Sequence, residues 1–417
     1  MAKTRYDEQV SQLSEAMGEF AFLSGDSDYM DEDGEKELAR SYVKSWLSTG
    51  CTALNMMISL NPFCGLPYGR FVLLYGPSGH GKSYYLYRWL ADNMALGGIS
   101  FIIDIERSLE KRWAGELGLA RKEFLRVYTK KHPRAKAEPR LTVEKVFMFL
   151  AKLCRLVDHG WSLDENGRQR PIAVGWDSVS GTPSEREVDL MTLKDSEEDD
   201  DGNVTKKGDK IRKNDFIGQS FSLSEGFRKM SNVISDRNIL LIGTSQERTD
   251  LQAAMTQVST PGYTPPPPTK DTGGKAPTFY SSLKMRLSRT KLLYHDEEHK
   301  ATSLVVGQMN EFEIKKNRLG PEGARLRIPS YYLEGIDDQT SLFEFLEDRQ
   351  LLVCTGQKAS LILPDSTVLP FKKSEWPAHL EDPDFFQTVT ETTAAWIEIQ
   401  RHRKDDGFSG RINSKRR

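Results

Sequence analysis

Between about residues 52 and 335, short apolar runs alternate with amphipathic stretches. "FVLLY" precedes a helical pattern running to Leu96, "GISFIID" is followed by one near 143–157, "IAVGW" by one near 217–235, and "ILLIGTS" follows that helix. Brief apolar runs separated by segments of helical period predict an α/β core with a mostly parallel, twisted sheet and crossover helices. Further on, "LKMRLSRTKLLYH", "TSLVVGQ" and "EFEIKK" read as later strands of the same sheet, antiparallel near one end. From about 336 to 417 the pattern is that of a small α+β domain with a basic end, "GRINSKRR". Its last helix is predicted to begin with Asp382 as N-cap and Pro383 at the first helical position, with Phe385, Val389 and Trp396 on one face. At the other end, Val10, Leu13, Met17 and Phe20 recur at helical spacing before the acidic, glycine-broken stretch "SGDSDYMDEDGEKE". Residues 1–51 are therefore read as a helix on a polar tether.

Two stretches interrupt the core. Residues 184–216 hold the acidic block "DSEEDDD" and then Lys206, Lys207, Lys210, Arg212 and Lys213, too polar a run to bury. Residues 249–275 pass through "STPGYTPPPPTKDTGGK", where four consecutive prolines deny ladder hydrogen bonds and favour an extended conformation. Both are expected to be loops.

Composition narrows the class. With 38% hydrophobic and 28% charged residues, the 417-residue chain suits a globular protein of two or three folded units. It has no apolar run of the roughly 18 residues that would span a bilayer. "MAKTRYDEQV" lacks the apolar region of a signal peptide, so a cytoplasmic location is expected. Cys51, Cys64, Cys154 and Cys354 are widely spaced, which indicates neither a zinc site nor a disulfide framework. A net charge of -2 means that any polyanion must meet local basic patches.

The candidate chemistry starts at "GPSGHGKS", which fits G-x-x-x-x-G-K-[ST] between an expected strand and an expected helix. Gly76, Pro77, Ser78, Gly79, His80 and Gly81 would curl so that backbone N–H groups surround a phosphate at the helix N-terminus. Lys82 would reach the β- and γ-phosphates of ATP, and the Ser83 hydroxyl would help hold Mg²⁺. Asp177, at the end of "IAVGWDS", is the second magnesium candidate. Glu106, in "FIIDIERSLE", is suited to positioning a water for attack on the γ-phosphate, the plainer alternative being a surface carboxylate beside Arg107.

These blocks also carry a family resemblance. "LPYGRFVLLYGPSGHGKS", "FIIDIERSLEKRWAGELGL", "WDSVSGTP", "ILLIGTSQER", "DTGGKAPTFYSSLKMRLSR" and "KKNRLGPEG" occur in the order found in RecA-type recombinases, so residues of about 52–345 resemble that core, including its UvsX branch from phages. The resemblance implies a RecA-like ATPase that forms a filament on single-stranded DNA and exchanges strands with homologous duplex, with the helix of residues 1–51 as an oligomerisation segment docking on the adjacent subunit. It implies that Glu106 is the catalytic glutamate and Asp177 the Walker B aspartate, that Trp113 stacks on adenine, and that Gln246 senses the γ-phosphate. Lys316 and Arg318 correspond to paired cations reaching the neighbouring subunit's ATP, and Phe279 to an interface aromatic, although core packing suits Phe279 nearly as well.

By position, the two loops match the family's DNA-contacting loops. Their content differs, because the acidic block would repel phosphates and only the basic half of the first loop suits contact. In the second, Tyr263 would stack on a base and Lys270, Gly273, Gly274 and Lys275 would lie along the backbone, with Arg248 a further candidate. Partners implied are single- and double-stranded DNA, further copies of the chain, and recombination-mediator and single-strand-binding proteins, with no membrane. Two other readings stay open: a hexameric RecA-fold helicase or translocase, which would share Lys82, Ser83 and Asp177, and a non-catalytic mediator paralogue.

Overall fold

Strands form where the apolar runs demanded them, as a computed structural model describing residues 43–107, 109–127, 140–188, 218–249, 269–271, 274–296 and 298–413 shows. The chain divides into two units, Met1–Lys44 and Ser45–Arg417, and every element named below lies in the second. The expected N-terminal helix, the acidic block, Lys206, Lys207, Lys210, Arg212, Lys213, Tyr263 and Gly273 lie outside the described residues.

The first half of this unit comprises β1 (Trp46–Leu47), α1 (Thr52–Ser59), β2 (Leu66–Pro67), β3 (Phe71–Gly76), α2 (Lys82–Ala95), β4 (Ile99–Asp104), α3 (Lys111–Glu116), β5 (Phe124–Arg126), α4 (Val143–Asp158) and β6 (Ile172–Asp177). Then come α5 (Gly218–Asp236), β7 (Ile239–Thr249), β8 (Thr269–Asp271), α6 (Ala276–Tyr280), β9 (Leu283–Tyr294), β10 (Val305–Asn317), β11 (Arg325–Tyr331) and β12 (Gly335–Ile336). Among the described residues, ten strands make one sheet in the order β12-β11-β10-β9-β3-β7-β6-β4-β5, with β8 paired to β7. From β9 to β5 the neighbours are parallel, whereas β9 to β12 are antiparallel, as the sequence pattern predicts. Parallel strands buried on both faces explain runs such as "FVLLY" and "IAVGW", which show no alternation.

Helices cover both faces. On one side α4 and α5 pack through Val146, Phe147, Leu150, Phe227 and Ile234. Gly226 is needed there, because a Cβ at this position would overlap the Phe147 ring. That ring is itself held edge-on by Trp176 and Phe227. Gly226→Ala would gain about 1 kcal/mol of helix propensity, but overpacking a fixed ring costs typically 1–3 kcal/mol. The expected result is a net loss of about 1 kcal/mol in urea unfolding.

On the other side, α2 buries Tyr84, Tyr85, Tyr87 and Trp89, and each polar tip has a partner, as buried tyrosines and tryptophans require. Tyr84 Oη donates to Tyr331 O at 2.9 Å, Tyr85 Oη meets Asn310 and Ser330, Tyr87 Oη donates to Asp177 at 3.2 Å, and Trp89 Nε1 donates to Thr49 O at 3.0 Å.

The chain ends with α7 (Asp338–Asp348), a three-stranded antiparallel sheet of β13 (Leu352–Thr355), β14 (Lys358–Ile362) and β15 (Val368–Lys372), α8 (Trp376–Glu381) and α9 (Pro383–Asn413). Asp382 caps α9, its Oδ1 accepting from Asp384 N at 3.1 Å, and Phe385, Val389 and Trp396 face the core. All four cysteines are free thiols. No described helix is long and apolar enough to cross a membrane.

Two sequence readings need correction. "TSLVVGQ" and "EFEIKK" form one continuous strand, β10, with register shifts. The polar interruption between them is buried, because Gln308 Nε2 and Asn310 Nδ2 both donate to His80 O. The stretch 249–275 is not loop throughout, since β7 extends to Thr249 and pairs with β8 through Glu247↔Asp271, Arg248↔Lys270 and Thr249↔Thr269.

Candidate active site

In an open parallel sheet the carboxyl ends of the strands form the binding edge. Here β3 ends in the Gly76–Ser83 loop, β4 leads to Glu106, β6 ends at Asp177, and β7 passes through Thr244 and Gln246. These residues line a single cleft of about 350 Å³, together with Trp113, Arg289, Gln308 and Tyr332.

The loop curls as its glycines allow. Gly79 and Gly81 take φ values of 74° and 95°, the left-handed region that favours glycine. At Gly81 a Cβ would also overlap Gln308 Nε2. The loop tip is fastened to the β9–β10 pair: Arg289 N donates to His80 Nδ1 at 2.9 Å, while Gln308 and Asn310 hold His80 O. Burial, then the positive charges of Arg289 and Lys82, pushes the His80 imidazole below its ordinary pKa, so the neutral acceptor form is favoured.

Lys82 opens α2 and is buried, its Nζ donating to Gly76 O at 3.0 Å and Pro77 O at 2.7 Å. Burial lowers its pKa, and the carboxylates of Asp177, Glu106 and Glu247 oppose that shift. Asp177, 2% exposed, accepts from Thr244 Oγ1 and Tyr87 Oη and is hydrogen-bonded by Ser83. Burial drives its carboxyl up, with the charge of Glu106 adding to the rise and these hydrogen bonds restraining it. Glu106 Oε1 accepts from Ser178 Oγ at 2.8 Å and Gln246 Nε2 at 3.4 Å. Gln246 N in turn donates to Ser180 Oγ at 3.2 Å. The carboxylate and the amide thus meet at the mouth of the cleft, just before β7 leaves for the β7–β8 ribbon. Trp113 is partly buried, edge-on to Tyr87 with centroids 5.3 Å apart, and still lines the cleft.

The remaining candidates lie elsewhere. Lys316 pairs with Lys284 on β9, which pairs with Leu73 on β3, three residues before Gly76. At roughly 3.3 Å per residue that is about 10 Å short of the phosphate loop along the strand, and about two strand spacings to the side. Lys316 Nζ donates to Thr278 O and Phe279 O, and Arg318 Nη2 to Phe279 O. Burial, then the charge of Arg318, lowers the Lys316 pKa to about 8. Phe279 is 64% exposed, so the core-packing alternative fails. Arg248 and Lys275 are exposed. Gly274, at φ 78°, approaches Ser220 too closely for a side chain, and the backbone of Lys270 lies in β8.

Sequence reasoning missed Thr244, Ser178, Ser180, Tyr87, Arg289, Gln308, Asn310 and Tyr332. Gln308 and Asn310 stand as polar residues in an apolar strand pattern. The others lie in helix α2, inside β7 and β9, or in the turns after β6 and β11, where nothing in the local pattern sets them apart.

A mostly parallel α/β domain with a phosphate loop at the end of a central strand, flanked by a strand-end aspartate and glutamate, defines the class as a RecA-like P-loop core. Residues 15–131 match the family model of the RecA N-terminal domain. The chain is 23% identical over 311 residues to Protein RecA of Geobacter metallireducens, covering 74% of each. It is 23% identical over 351 residues to that of Leptospira meyeri, covering 84% of this chain and 74% of the relative. The corresponding figures for Wolinella succinogenes are 25% over 300 residues, 72% and 68%. Fold, motif order and these similarities together support the RecA-type recombinase family for this chain.

Proposed function

We propose that this chain is an ATP-dependent homologous-recombination protein that assembles as a helical filament on single-stranded DNA, in the cytoplasm, and pairs it with homologous duplex. The observation that carries this reading is the hydrogen-bonded set Glu106, Ser178 and Gln246, which joins the hydrolytic end of the cleft to the root of a two-stranded ribbon bearing Arg248 and Lys270.

The Gly76–Ser83 loop and the N-terminus of α2 would bind the ATP phosphates. Lys82 would exchange its loop carbonyls for phosphate oxygens, and Trp113 would pack on the base. Among the described residues no three His, Cys, Asp or Glu side chains cluster as a metal site. Magnesium would be held by Ser83 and Asp177, which are already hydrogen-bonded to each other, together with water and phosphate oxygens. Such an ion, when bound, neutralises charge on the β- and γ-phosphates. Glu106 would orient the attacking water and accept its proton. Gln246 would donate to the γ-phosphate and carry the ribbon with it. Lys316 and Arg318, set back from their own phosphate loop, would meet the ATP of an adjoining copy.

Joint measurement of DNA-stimulated ATP turnover and strand exchange tests the proposal. Turnover that ignores added oligonucleotide would remove it, stimulated turnover without exchange would favour the mediator reading, and closed rings in electron micrographs would favour the helicase. A narrower expectation concerns the first loop. Replacing Lys206, Lys207, Lys210, Arg212 and Lys213 by alanine should weaken single-strand binding and flatten the slope of log affinity against log salt by up to roughly 0.7 per lost phosphate contact. An unchanged slope in a salt titration would count against contact there.

A further inference from the structure

Between Gln246 and Arg248 stands an acidic residue whose position the chemistry above leaves unused. Glu247 has a side chain only 4% exposed, yet it is ionically paired: Arg286 Nε lies 2.9 Å and 3.2 Å from its two oxygens, and Arg286 Nη2 lies 2.9 Å from Oε2. A fork of this kind fixes direction as well as distance, which a lysine would not do.

The register shows what the pair spans. Strand β3 lies between β7 and β9, with Tyr75 opposite both Ser245 and Arg286, and Gly76 opposite Gln246. Beyond Gly76 the central strand departs as the phosphate loop. Glu247 is thus one residue past the last β3 partner on β7, on the same face as Ser245 and Tyr75 by the two-residue period. Arg286 reaches it across the gap that β3 leaves. Lys284 Nζ sits 4.5 Å from the Tyr75 ring centroid on the same side, so Glu247 faces cations there, while Gln246 on the opposite face lines the cleft.

We propose that the Glu247–Arg286 pair is a strut that clamps the root of the β7–β8 ribbon to β9 across the exit of the phosphate loop, making Gln246 and Arg248 move as one body. The two are positioning residues, and their role rests on the function proposed above. Without the strut, Gln246 would still reach the nucleotide, but its displacement would be absorbed in a slack β7 instead of reaching Arg248 and β8.

The test uses the full chain and two readouts: affinity for a fluorescent ATP analogue, and the ratio of oligo(dT) affinities in a slowly hydrolysed ATP analogue and in ADP. Glu247→Gln and Arg286→Gln should leave nucleotide affinity within about twofold and lower the DNA-affinity ratio at least about tenfold, about 1.4 kcal/mol of coupling. Arg286→Lys, which keeps the charge and loses the fork, should fall between them and the unaltered chain. The exchanged pair Glu247→Arg with Arg286→Glu should recover most of the ratio, which a merely stabilising contact would not require. Single variants that keep the full ratio, or a ratio that tracks melting temperature alone, would overturn the strut and leave the functional reading standing. An unaltered chain whose DNA affinity is blind to nucleotide would overturn both. If the Gln variants do not fold, Arg286→Lys and the exchanged pair decide the matter by the same ratio.

Discussion

Lys82→Ala is expected to abolish useful nucleotide binding, whereas Glu106→Gln should bind ATP normally and fail to turn it over. Lys82 is the buried lysine of the Gly76–Ser83 loop, with Nζ on the carbonyls of Gly76 and Pro77, and nearby carboxylates oppose the fall in its pKa that burial brings. A hydrogen bond to a charged group contributes roughly 1.5–3 kcal/mol, so its loss should weaken ATP binding by about 10- to 150-fold. Glu106 is held by Ser178 and Gln246 and makes no bond to the loop carbonyls that hold Lys82. Removing its basicity should cost about 10²- to 10⁴-fold in turnover, the usual contribution of a positioned base, and assemblies on DNA should then persist. Titration with a fluorescent ATP analogue separates the two. Equal loss of binding in both variants would refute the division of roles.

The second large effect is expected at Lys316. Lys316→Ala should remove DNA-stimulated turnover by about 10³-fold, the scale of a cation supplied in trans, while leaving nucleotide capture by isolated copies intact. Its pH dependence offers a separate check. With a pKa lowered to about 8, chiefly by burial, the ammonium is charged below that value and neutral above it. A phosphate partner needs the charged form, so cooperative turnover should fall as pH rises through about 8, earlier than an ordinary lysine would allow. Lys316→Arg should retain turnover and move that limb to higher pH. Isolated copies that hydrolyse ATP as fast as assemblies, or a pH limb unaffected by the arginine, would show that Lys316 does not act between subunits.

Local pattern sufficed for much of the molecule. Strands buried on both faces must be continuously apolar, so "FVLLY", "FIID" and "IAVGW" identified β3, β4 and β6 and thereby placed Asp177 at a strand end, Glu106 just past one and Lys82 at the start of the helix after one. Glycines with left-handed φ, a lysine and a serine at fixed spacing are a backbone requirement of phosphate binding, and so Gly79, Gly81, Lys82 and Ser83 could be read without neighbours. Asp382 and Pro383 announced α9 because capping is local chemistry.

Residues distant in sequence behave differently, since their partners are set by which strands lie side by side. "TSLVVGQ" and "EFEIKK" read as two strands, but β10 runs through both and sets Gln308 and Asn310 under His80. Nothing local marks Glu247, and its partner Arg286 comes from β9 across the gap opened where β3 departs. Register likewise sets Lys316 level with Leu73 of β3, back from the Gly76–Ser83 loop, which its own sequence could not show. Composition and short-range periodicity determined which segments become strands and helices and where the Gly76–Ser83 loop falls between them. Sheet order and register, which depend on long-range packing of both faces, decided which charges meet.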